Sequence, residues 1–206
     1  MKLHVTLTSP YARITRSALI EHALQTQIDV IPARTREANS PYYQLIPSGR
    51  VPALELADGR VFEESHLICA YFDQIGAGPA LVHPLNHADW EYGRLSSLAS
   101  TYIDSVGVWG RETRRPRADQ SDTILSHEQA RAERLVQAWE HEISHPLMTG
   151  DLNFVHLMLY CALDVSDYYG RDPTPNHPNL RNWRARLATR ASLQATKPPP
   201  GGPKPI

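Results

Sequence analysis

Three short stretches of this sequence carry groups that could do chemistry. The first is Ser9-Pro10-Tyr11-Ala12, which follows the apolar run Leu3-His4-Val5-Thr6-Leu7 and leads into a basic helix start. A turn built for thiol–disulfide exchange would carry cysteines at positions 9 and 12. A hydroxyl and a methyl stand there instead, so the chain offers no sulfur of its own at this turn. Ser9 can cap the helix that follows, and Tyr11 is a second hydroxyl two residues on. The second stretch is Pro47-Ser48-Gly49-Arg50-Val51-Pro52-Ala53-Leu54. It puts a glycine able to turn tightly just ahead of a proline that can start a strand. In the third, Glu64-Ser65 precedes an apolar helical run. That pair reads as a helix cap with an acid beside it, and a helix start also exposes unpaired N–H groups that suit a carboxylate ligand.

Other reactive residue types form no comparable set. His83/His87 and His141/His145 have i, i+4 spacing, but no third ligand or nearby acid completes either pair, so no metal site is expected. Cys69 and Cys161 each sit inside an apolar helical segment and read as core residues. Arg111, Arg114, Arg115 and Arg117 share a Pro-containing loop, a solvated surface that could meet an anionic substrate.

The elements that must position these groups change texture along the chain. Up to about residue 77, short strands alternate with helices: a strand over 3–7, a helix over 14–24, a strand over 29–32, a Pro/Asn/Ser/Tyr-rich loop, strands over 51–56 and 59–62, and a helix over 65–74. Asp58-Gly59 makes the last two strands an antiparallel hairpin. "GAGPALVHPL" is a linker, and beyond it only helical patterns recur. One runs from Asp89 to Trp109, one follows a Ser126…Gln129 capping box, one runs from about Asn153 to Tyr169 and is apolar nearly all round, and one opens at Pro178. The expected organisation is an α/β domain over 1–77, a linker over 78–87, an all-α domain over 88–195 and an extended Pro/Gly-rich tail over 196–206.

Composition narrows the setting. In 206 residues, 21 basic side chains face 22 acidic ones, and the net charge of −1 draws the molecule to neither nucleic acid nor an anionic membrane. The N-terminus shows no leader pattern and no run approaches a membrane span, so a soluble cytoplasmic protein is expected.

With these residues in this order, the chain resembles the glutathione transferase superfamily from Met1 to about Pro198. Ser9-Pro10-Tyr11-Ala12-Arg13 is similar to the serine-type active-site turn of bacterial members, and Gly49 to Leu54 to the element G-(K/R)-V-P-x-L. Glu64-Ser65 with Ile68 and Tyr71 is similar to E-S-x-x-I-x-x-Y, and Pro178-Asn179-Leu180 through Trp183 to Arg190-Ala191-Ser192 to the closing P-x-L-x-x-W…R-P-S.

The resemblance implies a thioredoxin-like α/β N-terminal domain followed by an all-α C-terminal domain, with glutathione as co-substrate and no metal. It implies a cis Val51–Pro52 bond, the Val51 backbone pairing with the cysteinyl residue of glutathione, and Gly49 and Arg50 in the same binding loop. Ser65 and Glu64 would meet the γ-glutamyl end. Ser9 would hold the sulfur as thiolate, with Tyr11 the rival donor. Tyr11, Tyr102 and Trp109 would wall the pocket of a small hydrophobic electrophile. A homodimer engaged in detoxification is implied as well. The alternatives are a transferase-like binding protein with little turnover, or a glutathione-assisted disulfide reductase or lyase.

Two positions depart from the family pattern. Asn153 and His156 stand where Ser/Thr-x-x-Asp is usual, and an imidazole is not expected to reproduce a carboxylate that accepts backbone N–H bonds. Ala191 replaces the expected proline. For the glycyl carboxylate, Arg34, Arg36 and Arg50 remain open alternatives.

Overall fold

The computed structural model describes residues 1–82 and 90–200. The His83/His87 pair, the helix start at Asp89, the second half of the expected linker and the end of the expected tail lie outside the described residues.

The N-terminal unit is built on a four-stranded mixed sheet. β1 (Lys2–Val5) leads through a turn into α1 (Pro10–Glu21), and β2 (Asp29–Pro32) into a short α2 (Tyr42–Leu45). The hairpin β3 (Ala53–Glu55) and β4 (Val61–Glu63) then feeds α3 (Ser65–Ile75). The strand order is β2-β1-β3-β4; β1 runs parallel to β2 and antiparallel to β3, and β3 is antiparallel to β4. As an inner strand, β1 buries Leu3, His4 and Val5 in succession, whereas the edge strand β2 leaves Asp29, Val30 and Pro32 exposed. The hairpin expected from Asp58-Gly59 forms, with Gly59 at φ 84° and Leu56 N–H on the Arg60 carbonyl at 2.8 Å. Ile14 and Ala18 of α1 and Ile68 and Phe72 of α3 are fully buried, and the two helices pack together.

Several boundaries differ from the sequence reading. The first strand stops at Val5, because Thr6 to Ser9 close a turn (Ser9 N–H to Thr6 carbonyl, 3.2 Å), and this leaves Leu7 45% exposed. The stretch read as an irregular loop contains α2, started by Ser40 Oγ, which accepts from Tyr42 N–H.

Among the described residues the second unit contains helices and no strand: α4 (Trp90–Glu112), α5 (Asp122–Glu142), α6 (Pro146–Thr149), α7 (Phe154–Tyr168) and α8 (Pro178–Ala188). α7 is buried nearly all round and packs on α4, as its unbroken apolar pattern requires. α5 begins ahead of the expected capping box. Ser121 is the cap, accepting from Ile124 N–H at 3.3 Å, while Ser126 lies inside the helix and donates to the Thr123 carbonyl.

The doubtful cap of α7 is fully made. Asn153 Oδ1 accepts from Val155 and His156 N–H, and His156 Nδ1 accepts from Asn153 N–H at 3.3 Å. Its Nε2 therefore carries the proton and donates to the Met148 carbonyl at 3.1 Å, on which Trp183 Nε1 also converges at 2.9 Å. The imidazole replaces a carboxylate because its second nitrogen finds an acceptor and its ring stacks on Trp183.

A short helix, α9 (Ala191–Ala195), follows α8. The expected all-α domain ran to residue 195, but residues Arg190–Pro198 group with the N-terminal unit, where α9 packs on α1.

Candidate functional site

Strand register decides which chemistry-bearing residues meet. Val5 pairs with Pro32, His4 with Ala53, and Ala53 with Glu63. The turn after β1 with Ser9, the residues ahead of β3 with Val51–Pro52, and the residues after β4 with Glu64–Ser65 therefore emerge at one end of the sheet. Arg34 and Arg36, which follow β2, start from the same end. Both α1 and α3 begin there, so two helix N-termini bring unpaired N–H groups and partial positive charge to one place.

Ser9 is the N-cap of α1, and its Oγ accepts from Ala12 N–H at 3.3 Å. Pro10 occupies the first helical position, where its missing N–H costs nothing. The cap uses one lone pair of the hydroxyl and leaves the hydroxyl hydrogen free to be donated. Ser9 is half-buried, as is Tyr11.

The loop ahead of β3 is held from several sides. Gly49 has φ 63°, and a Cβ there would stand 2.9 Å from the Tyr43 ring. The Tyr43 hydroxyl donates to the Thr35 carbonyl at 2.8 Å, and that of Tyr42 to the Arg50 carbonyl at 2.5 Å. Burial pushes the Tyr42 phenol above its usual range and the Glu63 charge adds to it, so it remains a donor. Ser48 Oγ donates to Glu63, tying the loop to the end of β4, and also accepts from Arg50 N–H at 3.1 Å. Beneath the loop lies a cluster of Tyr42, Ile46 and Ala53, with Val51 packed on it. The Val51–Pro52 bond is cis. The Arg50 side chain is exposed.

Glu64 is an exposed residue at φ 73°, ψ 125°, a conformation that costs a non-glycine residue about 1–3 kcal/mol and concentrates at functional sites. It turns the chain so that α3 starts at Ser65, which is 6% exposed. The first bond inside α3 runs from Ile68 N–H to the Glu64 carbonyl, so the amides of residues 65–67 have no acceptor within the helix. The first turn of α3 holds no acidic residue that would compete for them.

Of Tyr11, Tyr102 and Trp109, expected to wall a pocket, Tyr102 has no surface to offer a ligand. Tyr102 is 0% exposed inside the helical unit, and burial pushes its phenol well above the usual range. It is a core residue, since the face of α4 that carries it packs inward. Trp109 is half-buried, edge-on to Tyr169 at 6.1 Å with the Arg171 guanidinium 5.1 Å over its ring. Among the three arginines left open, Arg34 is exposed and pairs with Glu37 at 3.4 Å. No group of three or more His, Cys, Asp or Glu side chains that could hold a metal occurs among the described residues. Sequence reasoning missed Tyr42, Tyr43 and Glu63 as supports of the 47–52 loop. The signal available was the adjacent tyrosine pair in a segment too polar to show helical periodicity.

Residues 8–75 match the family model described as glutathione S-transferase, N-terminal domain, a span that contains all three converging stretches. Over 203 residues the chain is 26% identical to the uncharacterized GST-like protein YibF of Escherichia coli (strain K12), covering 97% of this chain and 99% of that protein. Among solved structures, it is similar to a glutathione S-transferase from Methylobacillus flagellatus KT with glutathione bound. There the identity is 25%, the TM-score 0.85, and the coverage 96% of this chain and 99% of that one. A glutathione transferase family member from Pseudomonas fluorescens Pf-5, with bound S-(propanoic acid)-glutathione, is 26% identical at a TM-score of 0.82, over 97% of this chain and 100% of that one. The sequence motifs, the mixed sheet with its helices and these relatives agree: residues 8–75 match a glutathione S-transferase N-terminal domain, and the chain as a whole resembles the glutathione S-transferase superfamily in sequence and fold.

Proposed function

We propose that this protein is a glutathione transferase that binds glutathione at the end of the sheet where Ser9, Val51–Pro52 and Glu64–Ser65 emerge, and directs its sulfur at an electrophilic hydrophobic substrate. The observation that carries this reading is the register that delivers those three stretches, with two helix N-termini, to one place. The N-terminus of α3 and the Ser65 hydroxyl bind the γ-glutamyl carboxylate, with Glu64 fixing the same end. Val51, two residues ahead of the ladder, offers its backbone N–H and C=O to the cysteinyl residue in the manner of an added strand. Gly49 and Arg50 shape the approach.

Glutathione supplies the nucleophilic sulfur. The Ser9 hydroxyl, already accepting from Ala12 N–H, donates its hydrogen to that sulfur and favours the thiolate, while the thiol proton passes to solvent. The N-terminus of α1 acts in the same direction. The sulfur–carbon bond then forms as the bond from carbon to the leaving group breaks, and the leaving group departs with the electron pair. Both cysteines of the chain are fully buried, in keeping with a nucleophile brought by the co-substrate. Tyr11 and Trp109 remain as aromatic groups for the electrophile. The homodimer, the cytoplasmic location and the detoxifying role belong to the proposal through the resemblance to the superfamily.

Calorimetric titration with glutathione, followed by conjugation assays over a panel of aryl and alkyl halides, tests the reading. Saturable binding with conjugation is expected. Binding without conjugation across the panel makes the protein a binding module, and no binding overturns the assignment.

A further inference from the structure

The C-terminal segment that groups with the N-terminal unit lies along α1 and bonds to it at each turn. At the far end of the helix, Glu21 accepts from Arg190 Nε at 3.1 Å and Nη2 at 2.8 Å, and from Ser192 Oγ at 2.5 Å. In the middle, Arg16 donates to the Thr196 carbonyl at 3.3 Å. Ser17 Oγ lies 2.9 Å from Thr196 Oγ1, and because Thr196 gives its own hydrogen to the Ser192 carbonyl, Ser17 is the donor. Nearest the candidate site, Arg13 Nη2 donates to the Leu193 carbonyl at 3.1 Å, while Arg13 N–H is bonded to the Ser9 carbonyl at 3.0 Å. Ser17, Ser192, Leu193, Thr196 and Arg13 are at most 3% exposed, so the Arg13–Leu193 and Ser17–Thr196 bonds are interior, while those of Glu21 and Arg16 are part-buried.

We propose that residues 190–196 are a positioning part of the thiol site: bonded to α1 from Arg13 to Glu21, they fix where that helix stands on the sheet and therefore where Ser9 is presented. A helix of this length has little stability of its own and takes its place from packing. One side of α1 is held by α3 and another by α9. The strap comes from more than 160 residues downstream, so the N-terminal fold and its candidate site are completed only when the chain returns to them. Glu21 is the residue through which this acts most strongly, since it gathers a two-pronged arginine contact and a hydroxyl on one carboxylate.

This inference rests on the transferase reading for its functional half, and the experiment separates the two. In the full chain, Glu21→Ala, Arg190→Lys and the exchanged pair Glu21→Arg with Arg190→Glu are compared with the unaltered protein. Two quantities are read: hydrogen exchange of the α1 amides without ligand, with the inner strand β1 and α7 as references, and the pKa of the glutathione thiol in its complex.

In Glu21→Ala the α1 amides are expected to exchange about tenfold faster while the references hold, as for loss of one charge-assisted contact. The bound thiol pKa is expected to rise by about half a unit or more as Ser9 loses its fixed placement. The exchanged pair restores both. Should Glu21→Ala fail to fold, Arg190→Lys, which keeps the charge and loses the fork, gives the same changes in reduced size. Unchanged α1 exchange overturns the strap. Faster exchange with an unmoved thiol pKa overturns its role in the site, and failure of the unaltered chain to bind glutathione overturns the transferase reading instead.

Discussion

Ser9 is placed to do two things at once, and substitutions can separate them. Its Oγ accepts from Ala12 N–H at 3.3 Å, which caps α1, and its hydrogen is left for a bound sulfur. Ser9→Ala removes both. Loss of the cap costs about 1 kcal/mol, which lowers the Tm by about 2–4 °C in a chain of this size. Loss of a hydrogen bond to a charged acceptor costs about 1.5–3 kcal/mol, which raises the bound thiol pKa by about 1–2 units. If the bound thiol titrates near 7, a rise of about 1.5 units takes the thiolate at pH 7 from about half to about 3%, a roughly 15-fold fall.

Turnover falls less, by about threefold, because a thiolate of higher pKa is the better nucleophile. Above the new pKa the variant should match or exceed the unaltered enzyme. Ser9→Asp separates the roles: Asp caps as well as Ser, so the Tm holds, but it has no hydrogen to donate and its charge pushes the thiol pKa further up. The ultraviolet absorbance of the thiolate, titrated in the complex, measures that pKa, and thermal melts measure the cap. A bound-thiol pKa unmoved in both variants refutes the role given to Ser9 and transfers it to Tyr11.

Three further outcomes follow from the same geometry. Gly49→Ala forces a Cβ into a φ 63° position against a ring fixed by its hydroxyl, so a loss of about 1–3 kcal/mol in urea denaturation is expected, with glutathione affinity falling more than turnover; an unaltered affinity would detach this loop from the site. His156→Ala strips the acceptor from Asn153 N–H and the stacking partner from Trp183, so a loss of about 2–4 kcal/mol is expected, and an unmoved denaturation midpoint would show the cap to be idle. Burial raises the Glu21 carboxyl, but hydrogen bonds from Arg190 and Ser192 outweigh it and hold the pKa below the ordinary 4.5. The folded state thus binds fewer protons than the unfolded one, and the stability from this contact is present above about pH 5 and drains as pH falls through the folded pKa. Glu21→Gln should be less stable at neutral pH and lose less on acidification; an acid limb of unchanged slope would show that the carboxylate contributes nothing.

The two halves of the fold were legible because their periodicities differ. Asp58-Gly59 between alternating runs can close only a tight hairpin, and the unbroken apolar pattern of 153–169 can be satisfied only by a helix covered on all sides. The site was legible in its types: Ser9, Gly49 and Ser65 each occupy the local position their chemistry favours, a cap, a positive-φ turn and a helix start. The resemblance put Tyr102 in a pocket wall, whereas its place in the apolar face of α4 buries it completely. The start of α5 was misread because two serines, at 121 and 126, present similar capping signals, and packing chose the earlier.

What the sequence determined by itself, then, is local: the alternation of strands and helices in the first part and the helices of the second, the hairpin at Asp58-Gly59, and that no thiol of the chain stands at the turn after β1. What the tertiary structure decided is convergence. Pairing His4 with Ala53 and Ala53 with Glu63 brings residues 9, 51 and 64 to one end of the sheet, and a segment beginning at Arg190 closes on Glu21. The contact between Glu21 and Arg190 joins residues 169 positions apart, and neither it nor the pairing of His4 with Ala53 is encoded by any local preference. They form because burying the strands and helices together also pairs the backbone ladders of the sheet and the Glu21 carboxylate.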